Sequence, residues 1–294
     1  MGNFDIKNLP ELAVIGWPLL KTFSPPMQNA ALKELQIPWR YEPIPVPQEE
    51  LKEFFHLAYQ KMVGFNVTMP HKGDAYKFCD TVDDFAQKSL SVNTVVFERK
   101  DGKTLIKGYN TDAPGLLKSL SERTKEDFKS DVAVIFGAGG AAAGCAAALA
   151  FSGTTRIALV NRNVEKAKNM ADNLKTKFDG IEFLALGVEE KEKISDTLKD
   201  SQLIVSCIPE EGAYLYEEFL QTTGKTEKIY CDLSYGENPG RLFKKAAKEG
   251  FITVSGLEVL LWQGVFAFEI FTGKKAPADV MRKALESIAG SWWF

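Results

Sequence analysis

The most informative segment of this chain, residues 132–142, reads Val132-Ala133-Val134-Ile135-Phe136-Gly137-Ala138-Gly139-Gly140-Ala141-Ala142. Its apolar first half is typical of a strand that is buried on both faces, because such a strand carries no polar side. The glycines predict a tight turn, and the small residues that follow predict a helix. Strand, turn and helix in this order indicate one unit of a parallel α/β sheet.

The sequence after this segment repeats the same alternation. Further strands are predicted at Ile157–Val160, Phe183–Ala185, Leu203–Ser206 and Ile229–Asp232. Apolar residues recur at helical spacing from Val164 to Phe178, and polar helical stretches separate the other strands. We therefore expect a doubly wound parallel sheet with helices on both faces.

The residues before this segment predict a separate α/β domain. Strands are expected at Ala13–Gly16, Tyr41–Ile44, Gly64–Val67 and Val92–Val96, and helices at Pro25–Leu35 and Gln48–Met62. A polar stretch, Ser121–Asp127, indicates a boundary near the start of the central domain. The helical patterns Leu257–Phe271 and Ala276–Ile288 follow the last central strand, and we expect them to pack on the first domain. The predicted domains are residues 1–113, completed by 256–294, and residues 114–255.

Composition excludes several classes of protein. The 294 residues carry 36 Lys and Arg against 39 Asp and Glu, a net charge of −3, which argues against a general nucleic-acid binder. Two histidines and four scattered cysteines without a CxxC pair predict no metal site and reduced thiols. Neither a secretory signal nor a run of about 20 apolar residues is visible, so we expect a soluble cytoplasmic protein without a membrane segment.

The glycine pattern Gly137-x-Gly139-x-x-Ala142 indicates dinucleotide binding when it lies between a strand and a helix. The first glycine permits the turn, the second lets a pyrophosphate approach the backbone, and the helix N-terminus attracts phosphate. The next strand ends in Asn161-Arg162-Asn163, without the acid that binds a ribose hydroxyl of NAD, so the pattern favours NADP. Close helix packing and a solvated surface arginine are the alternatives.

A lysine and a carboxylate are the candidates for proton transfer. Lys72 ends the segment Asn66-Val67-Thr68-Met69-Pro70-His71-Lys72, and Asp112 ends Asn110-Thr111-Asp112. A lysine beside a carboxylate in a cleft can hold a substrate hydroxyl and pass its proton. From local pattern alone, Asp112, Ser24 and Thr68 are also typical of helix N-caps, because a proline follows each within two residues. We interpret His71 as structural.

Taken together, these residues resemble the shikimate dehydrogenase family nearly from end to end. The resemblance runs through Gly16-x-Pro18 to Ser24-Pro25 and Asn29, the Asn66 to Lys72 segment, Asn93-Thr94, Asn110-Thr111-Asp112, the glycine turn, Asn161-Arg162, and Gln263-Gly264 with Ala267-Phe268-Glu269 and Thr272-Gly273. Each motif is weak alone, but they follow in the family's order.

The resemblance implies an oxidoreductase that reduces 3-dehydroshikimate to shikimate with NADPH and without a metal, in aromatic amino acid biosynthesis. It implies an α/β substrate-binding domain and a Rossmann-type nucleotide-binding domain with the active-site cleft between them. The partners would be small molecules, with no nucleic acid or membrane, and the protein would be a monomer or homodimer.

The resemblance also implies a role for each matching residue. Lys72 and Asp112 match the catalytic pair, with Lys72 as the proton shuttle. Thr22 and Ser24 match the hydroxyls that bind the substrate carboxylate, assisted by Tyr235. The remaining substrate-binding positions are Asn66, Thr68, Asn93 and Gln263. The cofactor-binding positions are Gly137, Ala138, Gly139, Gly140, Ala141, Asn161, Arg162, Asn163 and Gly256.

Some residues depart from the family pattern and leave alternatives open. Lys21-Thr22 stands where the family usually has His-Ser, Asn163 replaces a common threonine, and the loop after Tyr235 lacks the usual Tyr-x-Pro. Because two of these changes fall near the carboxylate end, a quinate or dual quinate/shikimate dehydrogenase is the main alternative. A methylenetetrahydrofolate dehydrogenase is disfavoured by the Asn66 to Lys72 segment. A non-catalytic ligand sensor is disfavoured by the presence of Lys72 and Asp112.

Overall fold

The structure is a computed structural model of the chain. It describes residues 4, 6–19, 22–125, 128–221, 227–236 and 239–289. Contacts divide these residues into two compact units. The first unit is the chain up to Asp112 together with Leu261–Ile288, and the second is Ala113–Leu260.

The first unit is built on a mixed sheet. Its strands are β1 (Leu12–Gly16), β2 (Tyr41–Pro45), β3 (Gly64–Val67), β4 (Thr81–Val82), β5 (Thr94–Lys100) and β6 (Lys103–Tyr109). They lie in the order β2-β1-β3-β5-β6-β4. The β1 strand is parallel to β2 and β3, whereas β5 is antiparallel to both β3 and β6. The antiparallel register sets Asn66 opposite Thr94, and this pair lies in the candidate site.

Short helices follow several strands of the first unit. They are α1 (Ser24–Glu34), α2 (Leu51–Lys61), α3 (Lys72–Phe78) and α4 (Asp84–Ser89), with 3₁₀ turns at Ile6–Asn8 and Gln48–Glu50. The α2 helix packs on the sheet through Phe54, Phe55 and Ala58, which join Phe65 in one apolar cluster. The rings of Phe54 and Phe55 meet Phe65 edge-on, with centroids 5.2 and 5.1 Å away. This packing fixes β3, which leads into the segment carrying Lys72.

The second unit begins with α5 (Asp112–Thr124), whose first residue is counted with the first unit. Its strands are β7 (Val132–Phe136), β8 (Arg156–Asn161), β9 (Glu182–Gly187), β10 (Leu203–Ser206), β11 (Ile229–Asp232) and β12 (Ile252–Ser255). All pairs are parallel, in the order β12-β11-β10-β7-β8-β9. This is the strand order of a doubly wound dinucleotide-binding sheet.

Helices alternate with the strands of the second unit. They are α6 (Gly140–Phe151), α7 (Val164–Lys175), α8 (Lys191–Asp200) and α9 (Arg241–Lys248), with 3₁₀ turns at Glu210–Leu215 and Glu217–Leu220. The chain then continues into α10 (Gly256–Thr272) and α11 (Ala278–Ala289). Most of α10 and nearly all of α11 belong to the first unit.

The helices of the first unit approach one another closely at Gly264. A side chain at this position of α10 would collide with Met27 of α1. Beside this contact, the Gln28 Nε2 donates a hydrogen bond of 2.9 Å to the Gly264 carbonyl. The α10 helix is therefore fixed against α1 next to Gln263.

The fold confirms the predicted α/β class and adds elements that the sequence analysis did not find. The β5 strand continues to Lys100, past the predicted end at Val96, and pairs with β6 in a hairpin. The predicted helix Gln48–Met62 is a 3₁₀ turn followed by α2. Residues 126 and 127 of the predicted boundary stretch lie outside the described ranges, and α5 continues through its first half.

Candidate active site

A lysine and an aspartate that are distant in sequence meet in the first unit. Lys72 is the first residue of α3 and Asp112 the first residue of α5. The Lys72 Nζ donates to Asp112 Oδ2 over 2.7 Å. Their side chains are 33% and 39% exposed, so the pair remains accessible to a small molecule. The structure thus brings together the two residues that the sequence analysis selected for proton transfer.

Asn93 holds the other oxygen of the Asp112 carboxylate. Its Nδ2 donates to Asp112 Oδ1 over 2.8 Å, while the Asp112 backbone N–H donates to Asn110 Oδ1 over 3.1 Å. Both carboxylate oxygens therefore have a donor, and the one facing Lys72 has a fixed direction. This arrangement orients the carboxylate toward the Lys72 ammonium.

The amide of Asn93 is fully used inside the protein. Its Nδ2 also donates to Thr111 Oγ1 over 3.0 Å, and its Oδ1 accepts from the Thr111 N–H over 2.8 Å and the Thr94 hydroxyl over 3.0 Å. The residue is only 2% exposed. The observed contacts therefore make Asn93 a positioning residue for Asp112, and its direct contact with a substrate stays a prediction.

A second buried layer connects Asn93 to Tyr41. The Asn66 Nδ2 donates to the Asn93 carbonyl over 3.1 Å and to Thr94 Oγ1 over 2.9 Å. The Tyr41 hydroxyl donates to Asn66 Oδ1 over 2.7 Å. Burial raises the pKa of Tyr41 well above its usual value, so the phenol stays neutral and keeps its proton for this bond, while Ser24 also hydrogen-bonds the phenol oxygen. Hydrogen bonds thus run from Ser24 to Lys72.

The residues predicted to bind the substrate carboxylate lie at the start of α1. Ser24 is buried, and its backbone N–H donates to Thr22 Oγ1 over 3.3 Å. The residue before it makes no side-chain capping bond, so the alternative of Ser24 as N-cap is not what the structure has. Asp112 is likewise the first helical residue, not the one before it. Lys21 lies outside the described residues.

Two further predicted substrate residues lie in the first unit. Thr68 is half-buried, and its methyl group occupies the space next to Gly16, where an added side chain would collide with it. Gln263 is half-buried in α10. It precedes Gly264, whose carbonyl accepts a hydrogen bond from the Gln28 side chain. The sequence analysis missed Gln28 and Tyr41 as organisers of this region.

The glycine turn between β7 and α6 has the conformation that phosphate binding requires. Gly137 has a φ of +112°, which favours glycine, and a Cβ there would lie 3.1 Å from the Cys207 carbonyl oxygen. In contrast, a Cβ at Gly139 or Gly140 would meet no atom of the described residues within 4 Å. The fold therefore does not need glycine at these two positions, and the open space suits a ligand that approaches the backbone.

The start of α6 offers uncapped backbone donors. Gly139 occupies the N-cap position and supplies no side-chain cap to the first N–H groups of the helix. Such N–H groups and the helix dipole attract phosphate. Ala138 is half-buried and Ala141 exposed, so neither blocks the turn. These residues fit the pyrophosphate of a dinucleotide.

The segment after β8 presents an exposed guanidinium. Arg162 is exposed, Asn161 Nδ2 donates to the Asn163 carbonyl over 2.8 Å, and Asn163 Oδ1 caps α7 by accepting from the Lys166 N–H over 3.2 Å. The Arg162 backbone N–H donates to the phenol oxygen of buried Tyr216. Tyr216, which the sequence analysis missed, thereby fixes the backbone that carries the arginine. A cation here fits the 2′-phosphate of NADP.

In the second unit, Gly256 lies against the backbone of Leu233 and Ser234, which leads to Tyr235. Tyr235 is 44% exposed, and a Cβ at Gly256 would lie 2.6 Å from the Leu233 carbonyl oxygen. Asp232 accepts hydrogen bonds from the Ser234 N–H and hydroxyl, at 3.0 and 2.6 Å. Burial raises the pKa of Asp232. Asp232 therefore holds the segment that leads to Tyr235, and residues 237 and 238 of that loop lie outside the described residues.

All four cysteines are free thiols. Burial raises the pKa of Cys79 to about 12. The pKa of Cys207 is raised by a hydrogen bond with Cys145 and by burial, and burial also raises the pKa of Cys231.

Across the described residues, no group of His, Cys, Asp and Glu side chains is arranged to hold a metal ion. Within the same ranges, every helix is too short or too polar to cross a lipid bilayer.

The parallel sheet and its glycine turn define a dinucleotide-binding α/β protein, and comparisons with known proteins give the family. The model of the shikimate dehydrogenase substrate binding domain matches residues 14–95. The shikimate / quinate 5-dehydrogenase model matches residues 119–245, and the shikimate 5'-dehydrogenase C-terminal domain matches residues 256–286. The shikimate dehydrogenase (NADP(+)) of Methanopyrus kandleri is 39% identical over 279 residues, covering 93% of this chain and 94% of the relative.

Solved structures agree with the sequence matches. A shikimate 5-dehydrogenase from Listeria monocytogenes in complex with shikimate and NAD has a TM-score of 0.83 and 29% identity, covering 94% of this chain and 96% of that chain. A shikimate dehydrogenase in complex with NADP+ has a TM-score of 0.79 and 33% identity, covering 94% of both chains. This chain belongs to the shikimate dehydrogenase family, which confirms the resemblance read from its motifs.

Proposed function

We propose that this protein is an NADP-dependent shikimate dehydrogenase that reversibly reduces 3-dehydroshikimate to shikimate in aromatic amino acid biosynthesis. The Lys72–Asp112 pair, 2.7 Å apart and oriented by Asn93, carries the proposal. A sensor that only binds its ligand has no need of an accessible proton donor held in one geometry. The first unit would bind the substrate and the second the cofactor.

The protein's own residues supply the proton chemistry. NADPH supplies the hydride when it is bound. As the ring carbonyl becomes an alkoxide, the Lys72 ammonium donates a proton to its oxygen. The Asp112 carboxylate stabilises the positive charge of Lys72 before the transfer and orients the Lys72 Nζ. Asn93 in turn holds the second oxygen of Asp112. In the reverse direction, Lys72 accepts the proton of the shikimate hydroxyl.

Hydroxyl and amide side chains would recognise the rest of the substrate. Thr22 and Ser24, assisted by Tyr235, would bind the carboxylate. Thr68 and Gln263 would contact ring hydroxyls, with Asn93 and Asn66 behind them. A site made of such groups rejects an analogue that lacks a hydroxyl, because its own polar atoms would be left unpaired.

The cofactor would bind at the glycine turn of the second unit. Gly137, Ala138, Gly139, Gly140 and Ala141 would surround the pyrophosphate. Arg162, with Asn161 and Asn163, would hold the 2′-phosphate of NADP, and Gly256 would lie beside the cofactor. The uncapped N-terminus of α6 and the open space at Gly139 support this assignment.

Replacement of Arg162 by alanine tests the cofactor assignment. The KM for NADPH should rise about tenfold, whereas the KM for NADH should change little, since a charge-assisted hydrogen bond contributes ~1.5–3 kcal/mol. Lys175→Ala, an exposed cation at the last residue of α7, serves as the control. An equal rise in the KM for NADPH and for NADH would contradict a role of Arg162 in binding the 2′-phosphate.

Quinate is the second candidate substrate. The matching family model names both shikimate and quinate, and Thr22 differs from the usual serine at the carboxylate end. Quinate carries an additional hydroxyl on a saturated ring. The methyl group of Thr22 changes the space available there.

An absorbance assay of the reduced nicotinamide tests the proposed function. Purified protein is supplied with shikimate or quinate, each with NADP or NAD, and kcat/KM is measured for all four pairs. Shikimate with NADP should be the best pair. A clear preference for quinate with NAD would overturn the substrate assignment, and tight binding without turnover would favour the ligand sensor.

A further inference from the structure

His71 is a buried titratable residue that the proposed mechanism does not use. It directly precedes Lys72 and occupies the N-cap position of α3. None of its surface is exposed. The sequence analysis gave it only a structural role, but its ring contacts suggest more.

Both ring nitrogens of His71 face hydrogen-bond acceptors. The Nε2 lies 2.6 Å from the Val46 carbonyl oxygen, and the Nδ1 lies 2.9 Å from Gln48 Oε1. A backbone carbonyl can only accept, so the Nε2 must carry a proton. A neutral imidazole would then present an unprotonated Nδ1 to Gln48.

Asp74 decides which way the Gln48 amide points. The Gln48 Nε2 donates to Asp74 Oδ2 over 2.6 Å, and Lys77 Nζ donates to Asp74 Oδ1 over 2.7 Å. These hydrogen bonds, from Lys77 first and then Gln48, lower the pKa of Asp74, which therefore accepts. A reversed amide would set its oxygen against the carboxylate. The Gln48 oxygen thus faces His71, where it needs a donor.

We propose that His71 is a doubly protonated imidazolium that clamps the start of α3 to residues 46–48 and thereby positions Lys72. The ring is attached to a fixed turn, because the His71 N–H donates to the Thr68 carbonyl over 3.1 Å and its carbonyl accepts from the Ala75 N–H over 2.8 Å. The positioning role rests on the proposed function of Lys72.

The charged groups that face the ring lie on α3. Asp74 faces it through the Gln48 amide, on the same helix as Lys72 and Lys77. Lys77 is already paired with Asp74, and Lys72 is paired with Asp112. The two direct hydrogen-bond partners of the ring, in residues 46–48, are the neutral oxygens of Val46 and Gln48.

Nitrogen NMR of the histidine rings tests the charge. The chain has two histidines, so His56→Asn leaves His71 as the only imidazole. At neutral pH, His71 should show two ring N–H groups, each correlated with a protonated nitrogen. One protonated and one unprotonated nitrogen would overturn the proposal, whether or not the protein turns over shikimate.

A pair of substitutions at exposed Gln48 tests the positioning role. Gln48→Leu removes the acceptor at Nδ1, whereas Gln48→Glu combined with Asp74→Asn keeps an acceptor without opposing two carboxylates. Only the leucine variant should lose a ring N–H. Its kcat should fall about tenfold with an unchanged KM for NADPH, because misplacing a catalytic group by ~1 Å can cost up to ~100-fold.

Controls separate this effect from a loss of folding. Gln60→Leu, at an exposed position of α2, should leave kcat and the NMR signals unchanged. The melting temperature of each variant shows whether it is folded. A Gln48→Leu variant with wild-type kcat would overturn the positioning role. An inactive wild type with two His71 N–H signals would instead count against the proposed activity and leave the charge assignment standing.

Discussion

The polar groups around Lys72 and those around the glycine turn are prepared in opposite ways. Asn93, Thr94 and Tyr41 are buried and bond one another, so folding itself builds the proton-transfer region. Gly139 and Arg162 instead are exposed, and Gly139 gives the α6 N-terminus no side-chain cap. A buried polar group left without a partner costs about 1–3 kcal/mol, whereas an exposed donor is satisfied by water. Changes in the first region should therefore affect stability and turnover together, whereas changes at Gly139 or Arg162 should affect ligand affinity alone.

The largest expected effect is the loss of the Lys72 ammonium. Lys72→Ala should lower kcat about 10²–10⁴-fold, the usual contribution of a general acid, and leave NADPH affinity unchanged. Steady-state kinetics and fluorescence titration of NADPH measure the two quantities. Lys103→Ala, an exposed lysine of the same unit, is the control. A fall in NADPH affinity that matches the fall in kcat would contradict the separation of the two regions.

The Asn93 amide gives the next largest effect. Asn93→Ala should lower the free energy of unfolding by about 1–3 kcal/mol, because Thr111 and Thr94 lose buried partners. It should also lower kcat about tenfold or more, since Asp112 loses its orienting donor. Urea denaturation and kinetics check both values. Full stability with reduced kcat would show that Asn93 acts on the substrate and not through Asp112.

Two glycines of the same turn sharpen the comparison. Gly137→Ala should destabilise the protein by about 1–3 kcal/mol, because alanine is strained at a φ of +112°. Gly139→Ala should change stability by less than about 0.5 kcal/mol, since its Cβ would meet no atom.

The Gly139 variant should instead weaken NADPH binding about tenfold, by blocking the close approach of phosphate to the backbone. Thermal unfolding and NADPH titration of both variants test this contrast. Equal NADPH affinity in Gly139→Ala and wild type would place the pyrophosphate elsewhere.

Asp232 gives the smallest effect and a pH dependence. Burial raises its pKa in the folded state, so the folded protein holds this proton more tightly than the unfolded chain. Its contribution to stability is present below the ordinary pKa of aspartate and is lost as the pH rises through the raised value. Asp232→Asn keeps the oxygen that accepts from Ser234 but cannot ionise.

The unfolding free energy of Asp232→Asn should therefore decline less than that of the wild type as the pH rises from about 4 to 7. Urea denaturation across this range provides the measurement. Exposed Asp179 replaced by asparagine serves as the control. Parallel pH curves for wild type and Asp232→Asn would contradict the assignment.

The second unit was more predictable from sequence than the first. Its strands β7, β8 and β10 are mostly buried on both faces and each contains a continuous apolar run, so they were predicted, and Val132–Phe136 was predicted with the observed bounds. The β12 strand, Ile252–Ser255, is only partly buried and was missed. The β6 strand and the end of β5 were missed because the two strands meet in charged residues at an exposed hairpin end. The signal was nevertheless present, since Asp101-Gly102 forms the turn with positive φ at both residues.

The candidate site also has one part that could be predicted from sequence and one part that could not. Lys72 and Asp112 could be selected because each lies in a motif with a recognisable order. The bonds of Asn93, Tyr41 and His71 could not, because they depend on which segments the fold sets side by side. Only the register of β3 against β5 sets Asn66 opposite Thr94, and no local pattern contains that register.

The free thiols provide each unit with a cysteine whose labelling rate can report local opening of that unit. Cys79 packs in the first unit where a side chain at Gly108 would collide with it, and Cys207 and Cys231 belong to the second unit. Because the thiolate is the reactive form, these high-pKa thiols should react with a labelling reagent only after their surroundings open. The labelling rate at each cysteine, read by mass spectrometry, would then report how often each half of the molecule opens while the other stays closed.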